Sequence, residues 1–308
     1  FDVSVWELFL PLSTGAQLVI AAPQGHKDPL YLIELIQSQG ITKLHFVPSM
    51  LSQILVHEAF GTCGSLKQVF CSGEALSRAH VEEFLSLLPE TELHNLYGPT
   101  EAAIDVSYWQ CRAGAQKEVP IGRPIHNIQL YVLNGGRAVP AGVAGELHIG
   151  GAGLARGYLN RLELTAEKFI ANPFYEPGNA ASSERLYKTG DLVRYLPDGN
   201  LEFLGRIDAQ VKIRGFRIEL GEIEYQLQTH EAVNDAVVVA LASDTGDKRL
   251  VAYVTHDDAG QMQAQEGQAQ RLDFIDALKA HLGQALPDYM VPSVFVVLEQ
   301  LPLTANGK

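Results

Sequence analysis

Leu93-His94-Asn95-Leu96-Tyr97-Gly98-Pro99-Thr100-Glu101 carries a short apolar strand straight into a Gly-Pro turn that ends on a hydroxyl and a carboxylate. The chain before it decides what kind of sheet that strand joins. Asp28-Pro29 caps and starts a helix with Leu32, Leu35 and Ile36 on one face, and Leu44 to Val47 follows as a buried strand. Ser49 opens a second helix, Val69 to Cys71 reads as another strand, and Ser77 caps a third helix with Val81, Phe84, Leu85 and Leu88 at helical spacing. This alternation predicts an α/β fold around a largely parallel sheet, with loops at the strand ends available for ligands.

Downstream, from about residue 119, short strands and glycine turns take over. Ile128 to Leu133 and Glu146 to Ile149 alternate, and Val193 to Leu204 folds over Asp198-Gly199 as a hairpin. A strand-rich layer is therefore expected beside the parallel sheet. After Gly205-Arg206-Ile207-Asp208 comes a small β-α-β-like unit. It has helices over Leu220 to Gln228 and Leu272 to Leu282, and strands over Ala236 to Leu241 and Leu250 to Val254. Residues 257–270 are polar, Gln-rich and expected to form a loose surface loop.

Composition narrows the function classes. The 308 residues are 46% hydrophobic and 19% charged, enough for a buried core. The net charge of -13, with no Lys/Arg-rich run, argues against nucleic-acid or anionic-membrane surfaces. No apolar run is long enough to span a bilayer, and there is no signal peptide. Cys63, Cys71 and Cys111 lack metal-site spacing and are odd in number, which points to a reducing cytoplasm. Both ends of the sequence read as cuts within a longer polypeptide.

Several stretches carry chemistry. In the opening stretch Thr100 suits phosphate oxygens, Glu101 suits Mg²⁺, and Tyr97 suits a nucleobase, although a capped Gly-Pro turn would look similar. Gly150-Gly151-Ala152-Gly153-Leu154-Ala155-Arg156-Gly157-Tyr158 fails as a dinucleotide fingerprint, because its last glycine is one residue late and no helix follows directly. A tight structural loop is the better reading. Tyr187-Lys188-Thr189-Gly190-Asp191-Leu192 sets a carboxylate after a glycine turn, a common way to hold a ribose diol. Val211 to Glu219, with its alternating apolar and basic residues, reads as an exposed strand and turn.

Taken in order, these motifs, with Pro287-Asp288-Tyr289-Met290-Val291-Pro292 and Asn306-Gly307-Lys308, closely resemble the adenylate-forming superfamily. Within it, they resemble the adenylation domains of nonribosomal peptide synthetases, and the resemblance runs the length of the chain. It implies residues 1–207 as the C-terminal part of a large adenylation core and 208–308 as a small lid domain, with Asp208 as the hinge. It also implies ATP and Mg²⁺ as cofactors and an aminoacyl-AMP as product. A downstream peptidyl carrier domain would supply a phosphopantetheine thiol, and a condensation domain would lie nearby in the same synthetase. Lys308, Thr100 and Glu101 would be catalytic, with Glu101 holding the metal. Gly73, Asn95 and Tyr97 would line the adenine, Asp191 would hold the ribose, and Arg206 the ribose or a phosphate. The family's Ser/Thr/Gly-rich phosphate loop has no match here, so the resemblance implies that this piece alone is inactive.

The same resemblance assigns an amino-acid pocket to Asp2, Val3, Trp6, His45, Phe70, Ser72, Leu96, Ile104, Asp105 and Lys308. Asp2 would meet an α-ammonium and Lys308 an α-carboxylate. Trp6, Phe70 and Leu96 leave little room, while His45, Ser72 and Asp105 ask for a polar partner. A short hydroxylated side chain, serine, meets both demands, and the combination looks like the family's serine type. Threonine is the nearest competitor. Singly, His45 could be a satisfied core histidine, Ser72 turn chemistry before Gly73, and Asp105 a cap. Two rival readings are an acyl- or aryl-CoA ligase of the same superfamily and a non-catalytic remnant serving as an interaction module.

Overall fold

The computed structural model describes residues 2–114, 118–179, 182–242, 248–256, 259 and 268–302. The chain divides into two compact units, Phe1–Asp208 and Ala209–Lys308.

The first unit opens with α1 (Ser4–Thr14), a helix with no counterpart in the sequence-based expectations. In α2 (Pro29–Gln39), Asp28 accepts hydrogen bonds from the Leu30 and Tyr31 amides, and Pro29 sits where an N–H would lack a partner. Strands β1 (Lys43–Phe46), β2 (Gln68–Cys71) and β3 (Glu92–Tyr97) run parallel, and β4 (Ser107–Gln110) and β5 (Arg123–Pro124) extend the sheet antiparallel in the order β1-β2-β3-β4-β5. Between them, α3 (Pro48–Leu55) starts earlier than expected: Val47 is its N-cap and Pro48 sets the first turn, so Ser49 is not the cap. The Ser49 amide instead donates to Glu74 at 3.0 Å. Ser77 does cap α4 (Arg78–Leu87), accepting from the His80 amide.

Register decides which residues face a ligand. His45, Phe70 and His94 stand abreast on one face of the sheet, and Phe46, Cys71 and Asn95 on the other. Phe46, Val69, Cys71 and Leu93 join a core with Leu51, Phe60 and Phe84. Full burial of each such side chain contributes roughly 1.5–3 kcal/mol.

The strand-rich layer is a second sheet of β6 (Ile128–Asn134), β7 (Arg137–Ala138), β8 (Gly145–Gly151), β9 (Phe169–Ala171), β10 (Arg185–Tyr195) and β11 (Leu201–Arg206). Its order is β11-β10-β8-β6-β7, with β9 on β10. A short helix, α5 (Leu162–Lys168), precedes β9. The glycine turn expected before Asp191 is a bulge inside β10: Gly190 has φ +72° and the pairing with β8 shifts between Lys188 and Leu192.

In the second unit, β12 (Val211–Ile213) and β13 (Phe216–Ile218) form a hairpin before α6 (Leu220–Gln228). There follow β14 (Asp235–Ala242), β15 (Lys248–Thr255), α7 (Gln268–Ala285) and β16 (Val294–Leu298). β15 pairs antiparallel with β14 and parallel with β16, over a core that includes Ile223, Leu227, Leu278 and Leu282. α7 starts at Gln268, inside the loop expected over 257–270; apart from Ala259 and 268–270, that loop lies outside the described residues. The architecture is thus the expected α/β core with a strand-rich layer, followed by a small α+β unit. No helix among the described residues is long and apolar enough to cross a membrane.

Candidate functional site

The start of α1 packs on His45 of β1 and Phe70 of β2 through Trp6, and Asp2 reaches Thr100 just beyond β3; open α/β sheets place their ligands at such strand ends. Trp6 projects from α1 with its ring edge-on to His45 at 5.6 Å and to Phe70 at 5.8 Å. Its Nε1–H donates to Asp105 Oδ2 at 3.2 Å. His45 Nε2 lies 2.9 Å from Ser72 Oγ, and Ser72 is buried. Five of the expected pocket residues, drawn from four separate stretches of sequence, therefore touch. Val3 is buried at the start of α1, and Leu96 shares the His94 face of β3. Lys308 lies outside the described residues.

His45 departs from the expectation. Its Nδ1 stands 3.2 Å from Glu7 Oε1, so both ring nitrogens are engaged within the chain. The Ser72 hydroxyl, itself buried, is paired with this ring.

A strained turn completes the corner. After the 3₁₀ turn Thr100–Ala102, Ala103 has φ +60° and Ile104 φ +81°, an outlier for a β-branched residue. The chain doubles back over Gly98, where an added Cβ would lie 2.2 Å from the Ile104 carbonyl oxygen. Glycine is required there, and the same reversal carries Asp105 to Trp6. On the other side of the turn, Thr100 Oγ1 donates to Asp2 Oδ2 at 2.6 Å.

Glu101 is buried, and the glycine-rich loop holds it. The Ala155 amide donates to the Glu101 carbonyl at 2.9 Å, and the Tyr158 hydroxyl donates to Glu101 Oε1 at 2.6 Å. Burial, with the Glu101 hydrogen bond second, pushes the Tyr158 pKa up and keeps it a donor. Sequence reasoning found the loop but not this task, because the partners are 57 residues apart.

Of the residues assigned to a nucleotide, Tyr97, Asp191 and Arg206 touch one another. Asn95 Nδ2 donates to the Pro120 carbonyl at 2.8 Å, whereas its buried Oδ1 has no partner among the described residues. Gly73 follows Ser72 directly and is half-buried. The Tyr97 hydroxyl donates to Asp191 Oδ2, and burial followed by the Asp191 charge raises the Tyr97 pKa well above its usual value. Arg206 Nη1 donates to Asp191 Oδ1 at 2.8 Å, while its Nε and Nη2 reach Asp208 at 2.8 and 2.5 Å. Burial opposes the Arg206 charge, but Asp208 and Asp191 outweigh it and raise its pKa. Gly190 leaves room for this fork, since a Cβ there would meet Arg206 Nη2 at 2.8 Å. In this structure, then, Arg206 orients Asp191.

Among the described residues, no group of three or more His, Cys, Asp and Glu could hold a metal ion. Glu101 offers one carboxylate, which suits a cation such as Mg²⁺ that takes most of its ligands from phosphates and water.

Comparison with known proteins identifies the family and the fold. The AMP-binding enzyme family matches residues 1–159, and the AMP-binding enzyme C-terminal domain matches residues 222–308. The chain is 51% identical over 310 residues to tyrocidine synthase 3 of Brevibacillus parabrevis, and 49% identical over 309 residues to a phosphinothricin tripeptide synthetase of Streptomyces viridochromogenes. Both alignments cover 100% of this chain but only 4% and 25% of those synthetases. The Vibrio cholerae adenylation domain AlmE, solved with glycyl-adenosine-5'-phosphate, superposes with a TM-score of 0.80 at 28% identity, covering 100% of this chain and 55% of that one.

Proposed function

The chain belongs to the AMP-binding enzymes, and from that premise we propose that it activates L-serine with ATP as seryl-AMP and passes it to the phosphopantetheine thiol of a carrier domain. The observation that supports this reading is the set of contacts that joins a buried Ser72 hydroxyl to His45, and Trp6 to His45, Phe70 and Asp105, with the Asp2 carboxylate held by Thr100 at the start of the same helix. Asp2 meets the α-ammonium. Ser72 meets the side-chain hydroxyl, and the aromatic walls keep the site small. One added methyl, as in threonine, is worth only about 1–3 kcal/mol in a pocket, so discrimination there is partial.

In the first half-reaction the serine carboxylate attacks the α-phosphate of ATP and pyrophosphate leaves. Catalysis is mostly positioning and neutralisation of charge. Asn95, with its unsatisfied Oδ1, Gly73 and Tyr97 take the adenine; the exocyclic amine of adenine is a donor that Oδ1 lacks. Asp191, held by Tyr97 and Arg206, takes the ribose hydroxyls. Glu101, held by Tyr158, takes Mg²⁺, which when bound neutralises phosphate charge. Lys308 bridges the carboxylate and the phosphoryl oxygens. The unit that follows Asp208 pivots there as a lid between half-reactions. Carrier and condensation domains of a cytoplasmic synthetase are its partners.

ATP–pyrophosphate exchange by the full polypeptide with L-serine and with 3-hydroxypropionate, which is serine without its amino group, tests the reaction class. Exchange is expected to be about 30- to 100-fold stronger with serine than with the hydroxy acid. Equal exchange with both would favour an acyl ligase, which has no use for Asp2, and no exchange with any acid would favour a remnant.

A further inference from the structure

Glu7 follows Trp6 in the first turn of α1, and its Oε1 stands 3.2 Å from His45 Nδ1. Across the ring, Nε2 stands 2.9 Å from Ser72 Oγ. The His45 side chain is 6% exposed and that of Glu7 42%, so the carboxylate reaches the ring from the solvent side. A carboxylate 3.2 Å away repels the lone pair of a bare nitrogen and attracts an N–H, so Glu7 favours the proton on Nδ1. In the neutral ring, Nε2 is then an acceptor. Ser72 donates its single O–H to Nε2 and turns its lone pairs outward. Were Nε2 protonated instead, Ser72 would accept from it and present its own proton.

We infer that Glu7 is a specificity-determining positioning residue: by fixing the His45 tautomer, it makes Ser72 a hydrogen-bond acceptor for a substrate side chain that donates. The inference rests on the serine reading of the pocket and extends it, because it selects a hydroxyl over an isosteric group that cannot donate. With the Glu7 carboxylate 42% exposed, solvent screens its attraction to His45, and the pair adds little to stability.

The test is ATP–pyrophosphate exchange by the full polypeptide with L-serine, L-alanine and 3-chloro-L-alanine, the last a near-isostere that accepts but cannot donate. Glu7→Ala is expected to lower kcat/KM for serine about five- to tenfold, mainly through KM, the scale of one net hydrogen bond. Values for 3-chloroalanine and alanine should fall far less, so the serine-to-chloroalanine ratio narrows about fivefold. Glu7→Gln, whose amide oxygen can still accept from Nδ1, should keep most of that ratio, and His45→Ala marks its lower limit. An unchanged ratio in Glu7→Ala overturns the role, and so does a Glu7→Gln variant no better than Glu7→Ala. If the wild-type protein prefers another amino acid, the serine reading falls. Glu7 is then judged on donor and acceptor-only isosteres of that substrate, where unchanged selectivity in Glu7→Ala overturns its role and narrowed selectivity upholds it.

Discussion

Asp2→Asn is expected to lower kcat/KM for L-serine about 30- to 100-fold and to erase the preference for serine over 3-hydroxypropionate. The substitution is close to isosteric, and its amide oxygen can still accept the Thr100 hydroxyl that lies 2.6 Å from Asp2. The geometry of the turn therefore survives while the charge is lost. An α-ammonium that loses a buried carboxylate partner loses about 2–5 kcal/mol; the half-buried position of Asp2 argues for the lower part of that range. The effect should appear mainly in KM, with 3-hydroxypropionate little affected. Serine exchange at the wild-type level in Asp2→Asn would remove Asp2 from the substrate site.

Lys308→Ala should slow adenylate formation by at least about 10²–10³-fold, the scale of losing one charge-stabilising donor. Lys308 lies outside the described residues, so this expectation rests on its place in Asn306-Gly307-Lys308 and on the chemistry. The carboxylate and the α-phosphate are both anions, and a cation between them lowers their repulsion. Once seryl-AMP exists, that task is finished and the carrier thiol needs access to the acyl carbon. Presynthesised seryl-AMP should therefore load a carrier domain at close to the normal rate in the variant. Loading that collapsed together with adenylation would overturn both the pivot at Asp208 and the single-step role of Lys308.

The sheet was legible where local chemistry marks an element's ends. Asp28-Pro29 and Ser77 announce α2 and α4 through caps that the structure contains, and the apolar runs before Ser72 and Tyr97 are parallel strands. α1 was not legible: Val3 provides no side-chain cap, Pro11 sits inside the helix, and Leu8, Phe9 and Leu12 are exposed, so no single face stands out. Ser49 misled because Pro48, with its fixed φ, takes the first turn of α3. The pocket residues were found through family resemblance, since nothing local marks Trp6 or Asp105 as neighbours 99 residues apart. What holds them escaped the sequence for the same reason. Glu7 on His45, Tyr158 on Glu101 and Arg206 on Asp191 are contacts between distant segments, made by residue types common on any surface.

The most direct test of the account is ATP–pyrophosphate exchange by the full polypeptide across the proteinogenic amino acids at equal concentration. The cluster of Trp6, His45, Phe70, Ser72 and Asp105, taken as the proposed amino-acid site, predicts the strongest exchange with L-serine and weaker exchange with threonine and alanine. A clear preference for a large apolar or aromatic amino acid would contradict it.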